Sequence, residues 1–353
     1  MDIDRSKPAL VTGANGYIAS WIVKRLLDEG VTVHGTVRDP SNAAKTKHLK
    51  RLADSAPGDL KLFAADLTKT GSFADAMQGC GIVYHTASPF EIRDIKDPET
   101  ELIHPAVNGV KTVLDSAGQT ESVSRVVLTS SCAAIYGDNR DLQSAPNGVF
   151  TEEIWNTSGS PTHQPYSYSK TLAEKAAWDI AKVQDRYDLV VINPAFVLGP
   201  SLLGNADGVS NRFMVQAADG TFKSGVPDLA FGVVDVRDVA EAHLQAAYTD
   251  AANGRHILCR EGRSILSMTN VLRERFGDTY PFPKKTLPKF MVWLVGPFVG
   301  LARDFVSANV GFPWKCDNTR SREQLGINYR PIEDTLCEHF QQMLDDGFVK
   351  KRG

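Results

Sequence analysis

The stretch ALVTGANGYIAS, residues 9–20, decides the fold class of this chain. Three small residues, Gly13, Gly16 and Ala19, follow an apolar run at the spacing G-x-x-G-x-x-A. Gly13 allows a tight turn, Gly16 lets a pyrophosphate approach the backbone, and Ala19 lets a helix pack closely on a sheet. The N–H groups at the start of that helix then face the phosphate charge. The pattern favours a dinucleotide site, although a plain strand-to-helix turn can have the same residues.

Short apolar, β-branched runs alternate with helical patterns through the first half of the chain, which is typical of βαβ units in a parallel sheet. Several runs are apolar on both faces, as strands between two helical layers are. A helix with one apolar stripe is predicted over 17–29. The predicted strands are Ala9–Thr12, Val31–Thr36, Leu60–Ala64, Ile82–His85, Ser124–Thr129 and Leu189–Asn193. The sequence therefore predicts an α/β protein with a Rossmann doubly wound parallel sheet and helices on both faces.

The regular alternation ends after Asn193, where residues 194–208 are rich in glycine and proline. Residues 231–248, FGVVDVRDVAEAHLQAAY, predict one further strand and helix that return to the main sheet, before the chain leaves it again near Arg255. We therefore expect two domains. They are a dinucleotide-binding Rossmann domain over 1–195 and 228–255, and a smaller, discontinuous α/β substrate-binding lobe over 196–227 and 256–353.

The composition is that of an ordinary globular protein. The chain has 353 residues, 42% of them hydrophobic, with a net charge of -3 and a pI near 6.3. Lys and Arg are scattered among Asp and Glu, so no basic stripe predicts a nucleic-acid partner. The N-terminal residues contain no apolar core of a targeting segment. The five cysteines are widely spaced, which favours reduced thiols in the cytoplasm over disulfides or a metal site.

The most apolar segment is KFMVWLVGPFVGLA, residues 289–302. It is shorter than a bilayer crossing and is interrupted by Gly296 and Pro297. This pattern predicts a packed helix or a pocket lid. We therefore expect no membrane partner, and the chain is expected to be a monomer or a homodimer.

The residues at the end of the second predicted strand indicate whether the dinucleotide carries a free 2′-hydroxyl or a 2′-phosphate. A cofactor with a free 2′-hydroxyl usually meets an Asp or Glu about 20 residues after the glycine turn, but Thr36 stands there. Arg38 follows, and Lys45 lies in the next helix. A guanidinium offers a planar fork of donors to a 2′-phosphate and keeps its charge, so the sequence favours NADP(H) over NAD(H). The alternative is that Arg38 only faces water.

Tyr166 and Lys170 stand four residues apart in a segment that is typical of a helix, so their side chains share one face. The same spacing recurs in YPFPK, residues 280–284, where two prolines prevent a regular helix. A nearby ammonium stabilises a phenolate and lowers the pKa of the phenol from about 10 toward neutrality, where general acid catalysis is most effective. Ser131, at the end of a preceding strand, is placed to hold a carbonyl oxygen beside Tyr166. The competing interpretation is a surface Tyr and Lys with a capping Ser.

These motifs together resemble an extended short-chain dehydrogenase/reductase. They run in the order TGANGYIAS, VRDP, ADL, HTASPF, VNGVKTVL, LTSSCAAIYG, YSYSKTLAEKAAW and NPAFVLGP, over about two thirds of the chain. Within that superfamily the chain is most similar to the dihydroflavonol reductase-like branch, which includes fungal methylglyoxal, aldehyde and carbonyl reductases. After TSSC it lacks the asparagine with which plant dihydroflavonol enzymes engage their substrate, so a flavonoid substrate is not expected.

The resemblance implies an NADP(H)-dependent enzyme with Ser131, Tyr166 and Lys170 as its catalytic residues. It also implies that Asp66 reaches the adenine and that Asn108 supports a water relay to Lys170. The implied cofactor contacts are Gly13, Asn15, Gly16, Tyr17, Ile18, Arg38, Lys45, Asp66, Leu67, Thr86, Ala87, Ser88, Tyr166, Lys170, Pro194 and Val197.

The substrate side of the site is expected to be apolar, because no Arg or Lys is evidently placed for the phosphates of a sugar nucleotide. The candidate walls are Phe90, Ala133, Ile135, Phe196, Val197, Phe213 and Met214. Core packing is the competing interpretation for each of them. We therefore predict reduction of an aldehyde or ketone with a hydrophobic or aryl substituent to a chiral alcohol. A nucleotide-sugar epimerase, a hydroxysteroid dehydrogenase and a non-catalytic NADPH sensor are the alternatives.

Overall fold

Seven parallel strands form the central sheet of this computed structural model, which describes residues 6–88, 95–205 and 207–350. In these residues the strands are β1 (Ala9–Val11), β2 (Val33–Val37), β3 (Leu60–Ala64), β4 (Ile82–His85), β5 (Arg125–Thr129), β6 (Asp188–Pro194), β7 (Phe196–Leu198), β8 (Val226–Pro227), β9 (Ala230–Asp235), β10 (Gly254–Leu258), β11 (Glu261–Ser264) and β12 (Thr286–Leu287). The α-helices are α1 (Tyr17–Asp28), α2 (Ala43–Asp54), α3 (Ala74–Met77), α4 (His104–Gln119), α5 (Pro165–Ala181), α6 (Val209–Asp219), α7 (Val236–Tyr248), α8 (Ile265–Phe276), α9 (Lys289–Val295), α10 (Arg303–Asn309), α11 (Thr319–Leu325) and α12 (Ile332–Asp345).

The central sheet has the strand order β10-β6-β5-β4-β1-β2-β3, and every neighbouring pair is parallel. The chain winds outward from β1 to β3 and then, in the opposite direction, from β4 to β10. The reversal lies between β1 and β4, which pair directly. Ligands of open parallel sheets bind at the carboxyl ends of the strands beside such a reversal. This topology confirms the predicted Rossmann fold class.

Helices cover both faces of the sheet because each presents an apolar stripe to it. On one face, α1 and α7 bury side chains such as Ile22, Leu26 and Val239. On the other face, α4 and α5 bury Val113 and Ala177. A fully buried aliphatic side chain contributes roughly 1.5–3 kcal/mol. The two layers therefore stabilise the sheet that carries the site.

The six strands predicted in the first half are all present, with ends within two residues of the predicted ones. The strand predicted near 231–235 is placed differently. It is β9, which pairs with β7 and β11 in a separate three-stranded sheet and does not return to the main one. The central sheet is completed by β10, which runs past Arg255 to Leu258, because α7 packs on α1 and leads the chain back to the open edge of β6. The division into two domains stays a prediction.

A further hydrophobic cluster lies outside the central sheet and includes side chains of α6, α8 and α12. The Phe340 ring centre is 4.7 Å from that of Phe276 and 5.3 Å from that of Tyr280. The segment 289–302 forms α9 and a short 3₁₀ turn, but most of its apolar side chains are exposed, which differs from the expected packed helix or lid. Within the described residues, none of the helices has the length and apolarity that a membrane crossing requires.

Candidate active site

A cavity of about 1000 Å³ runs along the carboxyl ends of the central strands, beside the reversal between β1 and β4. One end is lined by the turn after β1 and the loops after β2 and β3. The other end is lined by residues between β6 and β9 and by α10. The cavity therefore lies where an open parallel sheet binds its ligand.

The turn after β1 has the shape that a phosphate requires. Gly13 has φ +61°, and a Cβ atom there would lie 3.1 Å from the Cβ of Ala87. A side chain at this position would strain the turn and crowd the cleft. Gly16 caps α1 in an extended conformation, and no side chain of the described residues accepts from this helix start. The first N–H groups of α1 are thus available to an anion, which fits a dinucleotide pyrophosphate.

The loop after β2 forms the adenosine end of the cavity. Thr36 Oγ1 accepts an N–H of the glycine turn at 3.3 Å. Arg38 and Lys45 are exposed and line the same end. Asp66 accepts the N–H and the hydroxyl of Thr68 at 2.9 and 2.8 Å, and these hydrogen bonds lower the pKa of the carboxyl. Two cations beside a neutral threonine suit a 2′-phosphate.

Thr12 holds the end of β4 in place and is absent from the predicted site residues. Its Oγ1 accepts the N–H groups of Thr86 and Ala87 at 3.1 and 3.0 Å, and it lies 3.0 Å from Nδ1 of His85. Burial lowers the pKa of His85 to about 3, so the imidazole is neutral near pH 7. These contacts fix the strand end that leads to Ser88.

Helix α5 brings Tyr166 and Lys170 to the wall of the cavity on one helix face. The Nζ of Lys170 donates to Ser88 Oγ at 3.2 Å and lies 5.9 Å from the centre of the Tyr166 ring. Ser131, after β5, forms a hydrogen bond with Tyr166. The Ser131 Oγ also accepts the N–H of Ala133 at 3.1 Å, which fixes its rotamer. The three predicted catalytic residues therefore meet at one place.

The pKa of Tyr166 differs from the sequence-based expectation. Burial raises it to about 12, and the hydrogen bond with Ser131 only partly opposes this effect. The expectation that the neighbouring ammonium lowers the pKa of Tyr166 toward neutrality is therefore wrong for this structure. Burial also lowers the pKa of Lys170 to about 8, against the opposing charge of Glu174. At neutral pH the site thus holds a protonated phenol beside an ammonium.

The structure brings together the residues predicted to contact a cofactor. All of them line the one cavity: Gly13, Asn15, Gly16, Tyr17, Ile18, Arg38, Lys45, Asp66, Leu67, Thr86, Ala87, Ser88, Tyr166, Lys170, Pro194 and Val197. Tyr17 has a structural contact as well, because its hydroxyl donates to the carbonyl of Gly199 at 2.6 Å. Asn108 is the exception among the implied residues. It is exposed on α4 and does not line the cavity.

The predicted substrate walls divide into two groups. Ala133, Phe196 and Val197 line the cavity. Ile135 packs in the cluster around Phe150 and Trp314, and this corrects its assignment. Phe90 lies outside the described residues.

Phe213 and Met214 also require correction. Both are buried in the hydrophobic cluster outside the central sheet and not on the cavity wall. The reason is the orientation of α6, which turns Ser210 and Asn211 toward the cavity and Phe213 and Met214 away from it.

Several cavity residues were missed because no local pattern marks them. They come from loops, from β9 and from α10: Tyr136, Gln164, Leu203, Phe231, Phe305 and Asn309. Gln164 has a left-handed backbone, with φ 54°, and donates to the carbonyl of Gly137 at 3.0 Å just before α5 begins. It thereby positions the start of the helix that carries Tyr166.

A profile of the NAD dependent epimerase/dehydratase family matches residues 9–259. The chain belongs to this family. Cinnamoyl-CoA reductase CAD2 of Medicago truncatula is 43% identical over 344 residues, which cover 96% of each chain. Anthocyanidin reductase of Arabidopsis thaliana is 37% identical over 359 residues, which cover 98% of this chain and 97% of the relative.

Solved structures agree with this family assignment. Yeast methylglyoxal/isovaleraldehyde reductase Gre2, complexed with NADPH, has a TM-score of 0.78 and 29% identity, and covers 97% of this chain and 100% of its own. Gre2 of Candida albicans, in complex with NADPH, has a TM-score of 0.76 and 29% identity, with 96% and 99% covered. These relatives confirm an extended short-chain dehydrogenase/reductase of the dihydroflavonol reductase-like branch. This protein is therefore a nicotinamide-dependent reductase of the epimerase/dehydratase family.

Glu174 is a buried acid behind the site that the predictions missed. Its carboxylate accepts from Arg255 Nε at 2.6 Å, from Asn193 Nδ2 at 2.7 Å and from the hydroxyl of Ser130. It stands one helical turn after Lys170, whose pKa it raises. A buried carboxylate needs such partners to offset its desolvation. The signal in the sequence is that Glu174 is the third residue in a series with four-residue spacing, after Tyr166 and Lys170.

Proposed function

We propose that this protein is an NADPH-dependent carbonyl reductase that converts aldehydes or ketones with hydrophobic or aryl substituents to chiral alcohols. The observation that carries the proposal is the meeting of Ser131, Tyr166 and Lys170 in the middle of the cavity, between a cationic end and an apolar end. The cationic end contains Arg38 and Lys45 and favours the 2′-phosphate of NADPH over the free hydroxyl of NADH.

NADPH, when bound, supplies a hydride to the carbonyl carbon. As that bond forms, the carbonyl π electrons move onto the oxygen, which takes the proton of the Tyr166 hydroxyl. The raised pKa keeps this phenol protonated before the reaction. The ammonium of Lys170 stabilises the negative charge left on Tyr166, and the hydroxyl of Ser131 holds the substrate oxygen in place. The family resemblance also implies that Lys170 holds the ribose of the nicotinamide.

The far end of the cavity is the end opposite the adenosine end. Its walls favour a free aldehyde or ketone over a larger thioester or sugar nucleotide. Phe196, Phe231 and Phe305 line this end, together with the uncharged polar residues Asn139, Asn211 and Asn309. Among the described lining residues, the cationic ones are Arg38 and Lys45 at the adenosine end and Lys170 in the middle. Among the described residues, the phosphates of coenzyme A or of a sugar nucleotide would therefore find no cation at the far end. This argument favours an aryl ketone or an apolar aldehyde, even though a 43% identical relative is named for cinnamoyl-CoA.

The proposal also includes a cytoplasmic location. All five cysteines are free thiols in the structure. A reducing compartment keeps thiols in this state.

The test is an assay of NADPH oxidation with purified enzyme and four substrate classes. These are an aryl ketone, a branched aliphatic aldehyde, cinnamoyl-CoA and a UDP-sugar. We expect turnover of the first two and a kcat/KM for each that exceeds that for cinnamoyl-CoA by at least about tenfold. Turnover of the thioester or of the sugar nucleotide alone would overturn the substrate assignment. Equal rates with NADH and NADPH would overturn the cofactor assignment.

A further inference from the structure

An apolar patch is exposed on α9 and the 3₁₀ turn after it. It consists of Phe290, Met291, Trp293, Leu294, Val295, Phe298 and Val299. Phe290 is 71% exposed and Phe298 is 87% exposed. Among the large hydrophobic residues that the structure describes, the only other exposed ones are Val183 and Val209. Exposed apolar side chains are normally scattered singly, so a contiguous group of seven indicates a contact surface.

The orientation of the apolar patch is fixed by the residues beneath it. Val292, on the inner face of α9, packs with Val306 and Val310, and these three side chains form a small buried cluster. Leu287 and Leu301 close its sides. Turning the patch inward would expose the buried cluster of Val292, Val306 and Val310 in its place. The exposure is therefore a property of this fold.

The charged side chains along the apolar segment and at its two ends are mostly basic, and the nearest acidic residues in the sequence are Asp278 and Asp304. Residues 284–303 contain four basic side chains and no acidic one, whereas the whole chain has a net charge of -3. The basic residues are Lys284, Lys285, Lys289 and Arg303. Lys284 pairs with Asp278 at 2.9 Å on the surface. Among the described residues, the other three have no acidic partner within ion-pair distance.

We propose that the apolar patch docks this protein onto an anionic lipid surface. Aromatic and aliphatic side chains on one face with Lys and Arg at the borders are the composition of segments that lie in the headgroup region of a bilayer. The cytoplasmic leaflet is negatively charged, and it attracts basic residues close to its surface. α9 has seven residues, so the segment lies on the bilayer and does not cross it. This proposal departs from the expectation of no membrane partner, which rested on the absence of a membrane-spanning segment.

A second copy of the chain is a poorer occupant of the apolar patch. A two-fold contact places the same surface of both subunits together. It would bring the basic borders of two patches close to each other, and like charges in contact oppose association. A negatively charged surface instead complements these borders. The docking also brings the lipid near α10, whose Phe305 lines the far end of the cavity.

The test is co-sedimentation of the full chain with vesicles. Vesicles of phosphatidylcholine with phosphatidylserine should bind the protein, vesicles of phosphatidylcholine alone should bind it at least about tenfold more weakly, and salt should weaken the binding. The double variant Phe290→Ser, Phe298→Ser should lower binding by at least about tenfold. Val183→Ser is the matched control, because Val183 is 85% exposed at another place, and it should bind like the unchanged protein.

The basic borders are tested separately with Lys284→Gln, Lys285→Gln. This variant should lose binding to the anionic vesicles by about tenfold, whereas Lys111→Gln, Lys182→Gln, at exposed positions elsewhere, should not. Absence of binding to both kinds of vesicle would overturn the proposal. A concentration-dependent dimer in light scattering that disappears in the Phe290→Ser, Phe298→Ser variant, with no vesicle binding, would assign the patch to a second copy and would also overturn it. Neither result depends on carbonyl reduction.

Discussion

The two ends of the cavity are built in different ways. The dinucleotide end is made of backbone turns that follow parallel strands, and side chains such as Thr12 and Thr36 hold these turns together. The far end is made of side chains that come from distant parts of the chain, with Phe196 and Phe231 5.8 Å apart between ring centres. A single substitution can therefore reshape the far end, while the dinucleotide end depends on the topology of the sheet.

The far end is held by a buried polar network. The carboxylate of Asp138 accepts from Asn309 Nδ2 at 2.7 Å and from His163 Nε2 at 2.8 Å. The N–H of Asn139 donates to Asn309 Oδ1 at 2.9 Å. These bonds tie α10 to the loop after β5 although about 170 residues separate them. Substrate binding at the far end thus depends on contacts between residues that are distant in the sequence. We expect the shape of this end to vary more among relatives than that of the dinucleotide end.

The largest effect is expected where the two ends meet. Tyr166→Phe removes the proton donor, so kcat for carbonyl reduction should fall by about 10²- to 10⁴-fold while the Kd for NADPH stays within about twofold. Stopped-flow reduction and fluorescence titration of NADPH measure the two quantities.

Tyr280→Phe is the matched control, because Tyr280 has the same spacing to a lysine but lies in a core cluster without an α-helix between the two. It should keep full activity. Activity retained in Tyr166→Phe would exclude this tyrosine as the acid.

The next largest effect is expected from a substitution at the dinucleotide end, which should change only the binding of the cofactor. Arg38→Ala should raise the KM for NADPH by about tenfold to a hundredfold, because a charge-assisted hydrogen bond to the 2′-phosphate is lost. The KM for NADH should change little. Arg51→Ala, at the exposed end of α2, is the control and should change neither. An equal loss with both cofactors would place Arg38 away from the 2′-phosphate.

The rate of carbonyl reduction should depend on pH through the charge on Lys170, which lies between the two ends of the cavity. Its pKa is lowered to about 8, so the ammonium is present below that pH and is lost above it. Glu174 raises this pKa, and the nearby His85 is neutral throughout, because burial lowers its pKa to about 3. With NADPH saturating, kcat should be constant near pH 7 and should fall by about tenfold for each pH unit above 8.

Lys170→Arg tests the origin of this alkaline loss, since a guanidinium keeps its charge throughout the range. The variant should be slower overall, yet its kcat should not fall between pH 8 and 9.5. A loss with the same midpoint as in the unchanged enzyme would assign the titration to another group.

The sequence was sufficient where function depends on neighbours along the chain. Gly13 and Gly16 form a turn whose geometry is local, and Tyr166 and Lys170 share a face because of the helical repeat. The pKa of Tyr166 was predicted in the wrong direction, because burial outweighs the hydrogen bond with Ser131, and burial is a property of the folded chain. Asn309 was missed because no local pattern connects it to a loop about 170 residues earlier.

Met214 shows the same limit on the substrate side. An apolar side chain on an amphipathic helix can face either a core or a cavity, and only the packing of α6 decides between them. The expectation of no membrane partner had the same limit, because it was drawn from one segment of the sequence alone. The length of segment 289–302 excluded a span, but its exposed face could be recognised only after α9 was placed against Val306.

The smallest effect is expected from two substitutions that distinguish a side chain on the wall of the far end from one in the neighbouring hydrophobic core. Phe196→Ala should raise the KM for an aryl ketone by about tenfold, because an apolar ring that contacts the substrate is lost. Met214→Ala should leave this KM within about twofold and should lower the free energy of unfolding by about 2–5 kcal/mol, because it creates a cavity in a closed core. Urea unfolding followed by fluorescence measures the second quantity. If Met214→Ala raised the KM as much as Phe196→Ala and left stability unchanged, Met214 would face the substrate, and the wall would extend deeper into α6 than the structure places it.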